Sequence, residues 1–287
     1  MRRALVFGAS GQLGDALLPL LHAARCDVLA VSRQQHMGRD RLGWIVGALD
    51  DSLAAPDDCD VVFSLGPLDA FARWQDRVGR VAPRVIAFGS TSIATKNASS
   101  EAAERDVAER LREAEETLFA FGARHRVGVT VLRPTLVYGR GRDRTLSRIA
   151  ALARRRGLFA LPTNATGLRQ PVHVDDLANA AWSAANAVQS AGRAYDVPGG
   201  ETLRFDEMVA RTLAVLHPRP RLLRLRAPLF RAAVASARAL GMIEAINPAM
   251  LDRLDADLVF DAADARRDFG YSPRGFAPDA AMFMPPR

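Results

Sequence analysis

Ala4-Leu5-Val6-Phe7-Gly8-Ala9-Ser10-Gly11-Gln12-Leu13-Gly14 is the stretch that decides the fold. Four apolar residues break at Gly8, and beyond Gly14 the leucines Leu17, Leu18 and Leu21 recur at helical spacing. The stretch therefore predicts strand, tight turn and helix. Glycines in such a turn let the backbone approach a pyrophosphate, and the helix N-terminus offers free N–H groups and a partial positive charge. The turn predicts a dinucleotide site formed by Gly8, Ser10, Gly11, Gln12, Leu13 and Gly14. Its alternative is a tight turn that binds nothing.

Tyr195-Asp196-Val197 reads as a further strand, and further apolar runs stand at Val28-Leu29-Ala30-Val31, Trp44-Ile45-Val46, Val61-Val62-Phe63, Val85-Ile86-Ala87-Phe88 and Val129-Thr130-Val131-Leu132. They are continuous rather than alternating, which suits parallel strands covered on both faces. Between them, residues 99 to 121 predict a long helix with Ser100 as N-cap, and a shorter helix starts near Asp175. Pro198-Gly199-Gly200 breaks the pattern. From Glu201 onward the sequence predicts mainly helices, a basic stretch from His217 to Arg231 and a closing segment near Phe276.

The second strand runs out at Val31, where a carboxylate would accept hydrogen bonds from an adenosine ribose in an NAD site. Ser32-Arg33 stands there instead. An arginine fork pairs with a 2′-phosphate and a serine adds a hydrogen bond without repulsion, so the pair favours NADP, with NAD as the alternative. An Arg33 that simply points into solvent is the blander reading.

The 287 residues, 49% of them hydrophobic, suffice for one large core or a core with a smaller appendage. No run of about eighteen apolar residues occurs, and Met1-Arg2-Arg3 leads into a short run that ends at glycine, so the sequence predicts a cytoplasmic chain with no membrane partner. Cys26 and Cys59 lack metal-site spacing and read as reduced, buried thiols. The net charge of +7 comes from 39 Lys and Arg, of which only Lys96 is lysine, against 32 acidic residues; the scattering of basic among acidic residues predicts no nucleic-acid partner, and the cysteine spacing no metal.

Taken in order, the glycine turn, Asp60-Val61-Val62-Phe63, Phe88-Gly89-Ser90-Thr91-Ser92, Arg133-Pro134-Thr135-Leu136-Val137-Tyr138-Gly139, Val172-His173-Val174-Asp175-Asp176-Leu177-Ala178 and Phe269-Gly270-Tyr271-Ser272-Pro273-Arg274 resemble the extended branch of the short-chain dehydrogenase/reductase superfamily, the NAD-dependent epimerase/dehydratase type. The resemblance covers nearly the whole chain. It implies an α/β fold: a Rossmann doubly wound parallel sheet over residues 1–138 and 176–199, with a small, mainly helical substrate or cap region over 139–175 and 200–287. It also implies that Leu65-Gly66-Pro67 passes under the adenosine ribose, that Pro134 and Leu136 approach the nicotinamide, and that Thr91, with Ser90 and Ser92 as neighbours, hydrogen-bonds a substrate oxygen. A strand-end hydroxyl cluster serving the local backbone is the alternative for these three. His173 is implied as structural, and Asp175-Asp176 as a helix start.

The sequence departs from that family where the chemistry is expected. A Tyr-x-x-x-Lys pair transfers the proton and holds the nicotinamide ribose in family enzymes, but the tyrosines here are Tyr138, Tyr195 and Tyr271, and Val107 and Leu111 occupy the matching positions. Asp106 and Arg110 repeat the spacing one residue earlier, and read better as a surface i,i+4 pair. Thr91 and Ser92 remain as catalytic candidates, and Tyr138 and Arg169 as substrate contacts. Arg219, Arg221, Arg224 and Arg226 either meet a substrate diphosphate or are solvated. The expected activity is an atypical NADP-dependent oxidoreductase or epimerase-like enzyme, on a nucleotide-sugar or other polar carbonyl compound. The alternative is a noncatalytic NADP(H) sensor or scaffold. Either would be a monomer or a homodimer.

Overall fold

The computed structural model describes residues 2–49, 53–54, 56, 58–239 and 253–284. They divide into two compact units. The first holds residues 1–135, 174–198 and 261–273. Its strands are β1 (Arg3–Phe7), β2 (Asp27–Ser32), β3 (Leu42–Val46), β4 (Val61–Ser64), β5 (Arg84–Phe88), β6 (Gly128–Pro134) and β11 (Arg193–Val197). They form one seven-stranded parallel sheet in the order β11-β6-β5-β4-β1-β2-β3. The continuous apolar runs read from the sequence are these strands.

Helices α1 (Gln12–Ala23), α2 (Leu68–Val78), α4 (Ala102–His125) and α6 (Val174–Asn186) cover the sheet, and a single turn, α3 (Ser92–Thr95), leads into α4. Leu5, Phe7, Val62, Val85 and Val131 pack against Phe71 and Trp74 of α2 and Leu118 and Phe121 of α4. Alternate strand residues point to opposite faces, so Ala4, Val6, Phe63 and Ile86, all fully buried, face the other side. There α1 and α6 pack on each other. Between β1 and β4 the strand order reverses, which leaves a crevice beyond the carboxyl ends of those two strands.

Two details of the sequence reading change. Residues 261–273, assigned by sequence to the cap, belong to the first unit. Their helix α9 (Ala263–Phe269) is fastened to β11: Tyr195 donates to Asp268 Oδ2 at 2.6 Å, Arg193 pairs with the same oxygen at 2.8 Å, and the Tyr271 hydroxyl donates to the Pro198 carbonyl at 2.6 Å. Nothing in the local sequence reveals that the chain returns to the sheet. The long helix begins at Ala102, and Ser99 rather than Ser100 serves its start, accepting the Glu101 N–H at 3.2 Å and bonding Glu104 at 2.7 Å. A hydroxyl two residues upstream of a free N–H closes a tighter local turn.

The second unit holds residues 136–173, 199–260 and 274–287. Its elements are β7 (Val137–Tyr138), α5 (Leu146–Arg156), β8 (Leu158–Pro162), β9 (Leu168–Arg169), β10 (Val172–His173), β12 (Leu203–Arg204), α7 (Phe205–Ala214), β13 (Arg221–Leu225) and α8 (Ala227–Ala239). Three two-stranded sheets, β10-β7, β12-β9 and β13-β8, accompany its helices. Leu146, Ile149, Leu161, Phe205, Met208, Leu213 and Phe276 form its core.

Candidate functional site

Three glycines shape the turn after β1, each for its own reason. Gly8 has φ +72°, a conformation that side chains rarely adopt, and a Cβ there would sit 3.2 Å from the Leu65 carbonyl carbon. Gly11 closes the turn, its N–H donating to the Gly8 carbonyl at 2.9 Å. Gly14 lies so near the turn backbone that a Cβ would fall 2.0 Å from the Ala9 carbonyl oxygen. Helix α1 thus starts packed against the turn, and its N-cap residue, Gly11, supplies no side-chain cap. The geometry fits a pyrophosphate: the first-turn amides have no capping side chain to displace and the dipole favours an anion.

At the end of β2, Ser32 is nearly buried and its hydroxyl is shared. It accepts the Gln34 N–H at 3.2 Å, lies 3.3 Å from Ser10 Oγ and 3.0 Å from His36 Nε2. The His36 ring stacks on Trp44 of β3 with 4.2 Å between centroids. Arg33 is exposed and has no ion-pair partner among the described residues. Sequence reasoning found Ser32 and Arg33 but not His36 or Trp44, because their meeting depends on β3 lying beside β2 with Trp44 opposite Ala30.

At the end of β4, Ser64 is wholly buried and its hydroxyl has no hydrogen-bond partner among the described residues. Leu65 donates its N–H to the Phe7 carbonyl at 3.1 Å, space is open around Gly66, and Pro67 caps α2. Gly8, Leu65 and Gly66 are therefore neighbours, although Leu65 lies 57 positions after Gly8 in the chain.

The hydroxyl cluster after β5 divides its labour. Thr91 is buried, and both its N–H (3.2 Å) and its hydroxyl (3.1 Å) donate to the Pro134 carbonyl, tying β5 to β6. The Thr91 hydroxyl is thus engaged by backbone in this structure. Ser90 donates to Ser92 Oγ at 3.0 Å, so Ser92, half-buried, accepts this bond and its own hydrogen is not used in it. Val107 and Leu111 lie half-buried on α4. Asp106 and Arg110 form an exposed ion pair at 3.0 Å, the surface pair that the spacing suggests. Lys96 stands 3.9 Å from the buried Glu104. Lower on α4, Glu115 pairs with Arg133 through both guanidinium arms, Nε–Oε1 being 2.8 Å. Gly89 makes room for this pair, since a Cβ there would lie 3.1 Å from Glu115 Oε1.

A pocket of about 200 Å³ lies beside the sheet edge, four strands from β1, lined by Arg133, Tyr195, Asp196, Asp261 and Asp264. Burial pushes the Asp196 carboxyl up, against the opposing pull of Arg133.

In the second unit, Tyr138 is buried, edge-on to His173 at 5.1 Å and to Phe276 at 5.0 Å. The Arg169 guanidinium donates to the carbonyls of Leu168 (2.8 Å), Ala256 (2.7 Å) and Arg253 (2.5 Å) and lies over the Phe205 ring. Both residues, read from sequence as substrate contacts, are packed as parts of this unit's framework. Leu136 accepts the Val172 N–H at 2.8 Å. Cys26 and Cys59 are buried free thiols whose pKa values burial raises. Among the described residues no helix is long and apolar enough to cross a membrane.

Residues 77–197 match the model of the NAD dependent epimerase/dehydratase family, so the resemblance read from the motifs holds over that segment. No curated protein is matched. Among solved structures, UDP-glucuronic acid 4-epimerase from Bacillus cereus in complex with NAD has 12% identity over 98% of this chain and 96% of its own, with a TM-score of 0.70. WbmF of Bordetella bronchiseptica in complex with NAD+ and UDP has 15% identity over 98% and 91%, with a TM-score of 0.70. MoeE5 in complex with UDP-glucose and NAD has 21% identity over 96% and 94%, with a TM-score of 0.68. These likenesses show a shared fold.

Proposed function

We propose that this chain, which matches the NAD dependent epimerase/dehydratase family over residues 77–197, binds NADP(H) at the turn between β1 and α1. The observation that carries the reading is Gly14, whose missing side chain lets α1 start against the backbone of the turn at Ala9 and present an uncapped N-terminus. Gly8, Ser10, Gly11, Gln12, Leu13 and Gly14 hold the pyrophosphate, Leu65, Gly66 and Pro67 flank the ribose, and Pro134 and Leu136 lie toward the nicotinamide. Ser32 and the exposed Arg33 take the 2′-phosphate, where a carboxylate would repel it.

A bound nicotinamide supplies hydride exchange with a carbonyl carbon. The solved structures of similar fold carry NAD with UDP or a UDP-sugar, which supports a nucleotide-sugar or other polar carbonyl substrate. Ser92, whose hydroxyl hydrogen is free of the Ser90 contact, polarises the substrate oxygen; Val107 and Leu111 move no proton. The activity is thus that of an atypical oxidoreductase or epimerase-like enzyme, without the usual tyrosine and lysine.

A second reading, a noncatalytic NADP(H) sensor or scaffold, is favoured by the engagement of Thr91 with Pro134. Incubation of the protein with NADPH and a panel of ketoses, and with NADP+ and a panel of UDP-sugars, followed by the change in cofactor absorbance and by product chromatography, separates the two. Turnover that falls at least tenfold in Ser92→Ala supports the enzyme. Binding with no turnover across the panel establishes the sensor, and turnover untouched by Ser92→Ala refutes the assigned role.

A further inference from the structure

The second unit brings together two acid-free stretches of the sequence. Between Asp143 and Asp175 there are six arginines and no acidic residue, and between Glu207 and Glu244 there are seven. Strand β8 comes from the first stretch and β13 from the second, and they pair in parallel with Arg221 opposite Leu158 and Leu223 opposite Ala160. The Arg221 N–H donates to the Gly157 carbonyl at 2.9 Å, which sets β13 against the arginine-rich end of α5. Register places Leu158, Ala160, Arg221, Leu223 and Leu225 on one face. The other face carries Phe159 and Leu222, which pack on the core.

That outer face is both apolar and cationic. Leu158 is 43% exposed and Leu223 41%; beside the strand pair, α8 packs on β8 and its Leu229 is 59% exposed. Arg155, Arg219, Arg221 and Arg226 are exposed and form no ion pair among the described residues. Other arginines of these stretches are engaged: Arg211 pairs with Glu201 and Glu207, and Arg224 with Asp206.

We propose that the face formed by β8, β13 and the start of α8 docks on an anionic phospholipid surface. Projecting aliphatic side chains that enter the headgroup boundary, ringed by arginines that meet lipid phosphates, are the requirements for interfacial binding. Nucleic acid fits less well, because single-strand binding uses exposed aromatic platforms, and the aromatic residues here, Phe159 and Phe230, are turned inward. The sequence reading predicts no membrane partner because it finds no long apolar run, and this face escapes it because Leu158 and Arg221, 63 positions apart in the chain, meet only through the β8–β13 pairing.

Co-sedimentation of the full chain with vesicles tests this. Binding is expected to vesicles of phosphatidylcholine mixed with phosphatidylglycerol and not to phosphatidylcholine alone, and to weaken as salt is added. The triple variant Arg155→Ala, Arg219→Ala, Arg221→Ala is expected to bind about fivefold more weakly for each arginine removed. The corresponding triple lysine variant keeps most of the binding. Leu223→Ser with Leu229→Ser weakens it at unchanged charge, which a purely electrostatic contact would not show. Equal sedimentation with both vesicle types, none with either, or a duplex DNA that displaces the vesicles would overturn the proposal. Should the alanine variant melt abnormally, the lysine variant and the salt series on the unaltered chain decide alone.

Discussion

Gly14, Thr91 and Ser92 show how much one atom decides in this fold. Adding the Gly14 Cβ drives a methyl into the Ala9 carbonyl at 2.0 Å, and the backbone cannot yield as a flexible side chain would. Gly14→Ala is expected to lose about 1–3 kcal/mol in urea unfolding, the usual range for overpacking, whereas Gly66→Ala, in open space, leaves stability nearly unchanged. A pair of equal losses would mean that the close approach of α1 to the turn at Ala9 is not what the glycine serves. Thr91 and Ser92, adjacent in sequence, separate by role. Thr91→Val removes a buried hydroxyl bond to Pro134 and is expected to cost about 1 kcal/mol. Ser92→Ala is expected to leave stability within about 0.5 kcal/mol, the range of substitutions away from such features, and to lower turnover. The sequence marks this cluster as a site but does not reveal which hydroxyl is engaged, because Pro134 arrives from 43 residues away.

At the scale of elements, the fastening of α9 to β11 makes a pH signature. Its Asp268 is held below the ordinary carboxylate range, first by the Tyr195 hydroxyl and then by Arg267 and Arg193. A depressed folded-state pKa contributes stability that is present above the unfolded value, about 3.9, and is lost as pH falls below it. Tyr195 is shifted the other way, up, by burial and then by Asp268. Its contribution is complete below the unfolded tyrosine pKa of about 10 and is lost as pH rises beyond it. Thermal melts should therefore weaken at both extremes. Tyr195→Phe is expected to flatten the alkaline limb, and Asp268→Asn the acid one. Limbs unchanged in both variants would show that this network does not govern either transition. The strands of the parallel sheet were legible as continuous apolar runs, while α9 was not, since its seven residues (Ala263–Phe269) find their place through contacts with a strand some 70 residues earlier. The β8–β13 pair escaped for the same reason: the short apolar β8 follows the arginines that end α5, β13 lies within a basic stretch, and only their pairing shows either as a strand.

For the molecule as a whole, the glycine turn and the motif order carried the fold, because a parallel sheet with a phosphate-binding first turn constrains most of the remaining topology. The side chains that only strand pairing assembles stayed hidden, such as His36 on Trp44 and Ser64 beneath the turn. If the first unit binds a dinucleotide, ligand at a hundredfold excess over Kd adds about 2.7 kcal/mol to stability, so NADPH is expected to raise the melting temperature by several degrees. The most direct test of dinucleotide binding is a fluorescence titration of the chain and of Arg33→Ala with NADPH and with NADH. NADPH is expected to bind more tightly than NADH, and to weaken about tenfold or more in Arg33→Ala as a charge-assisted contact is lost, with NADH affinity nearly unmoved. Absence of binding by either nucleotide, or a preference for NADPH that survives the loss of Arg33, would contradict the assignment.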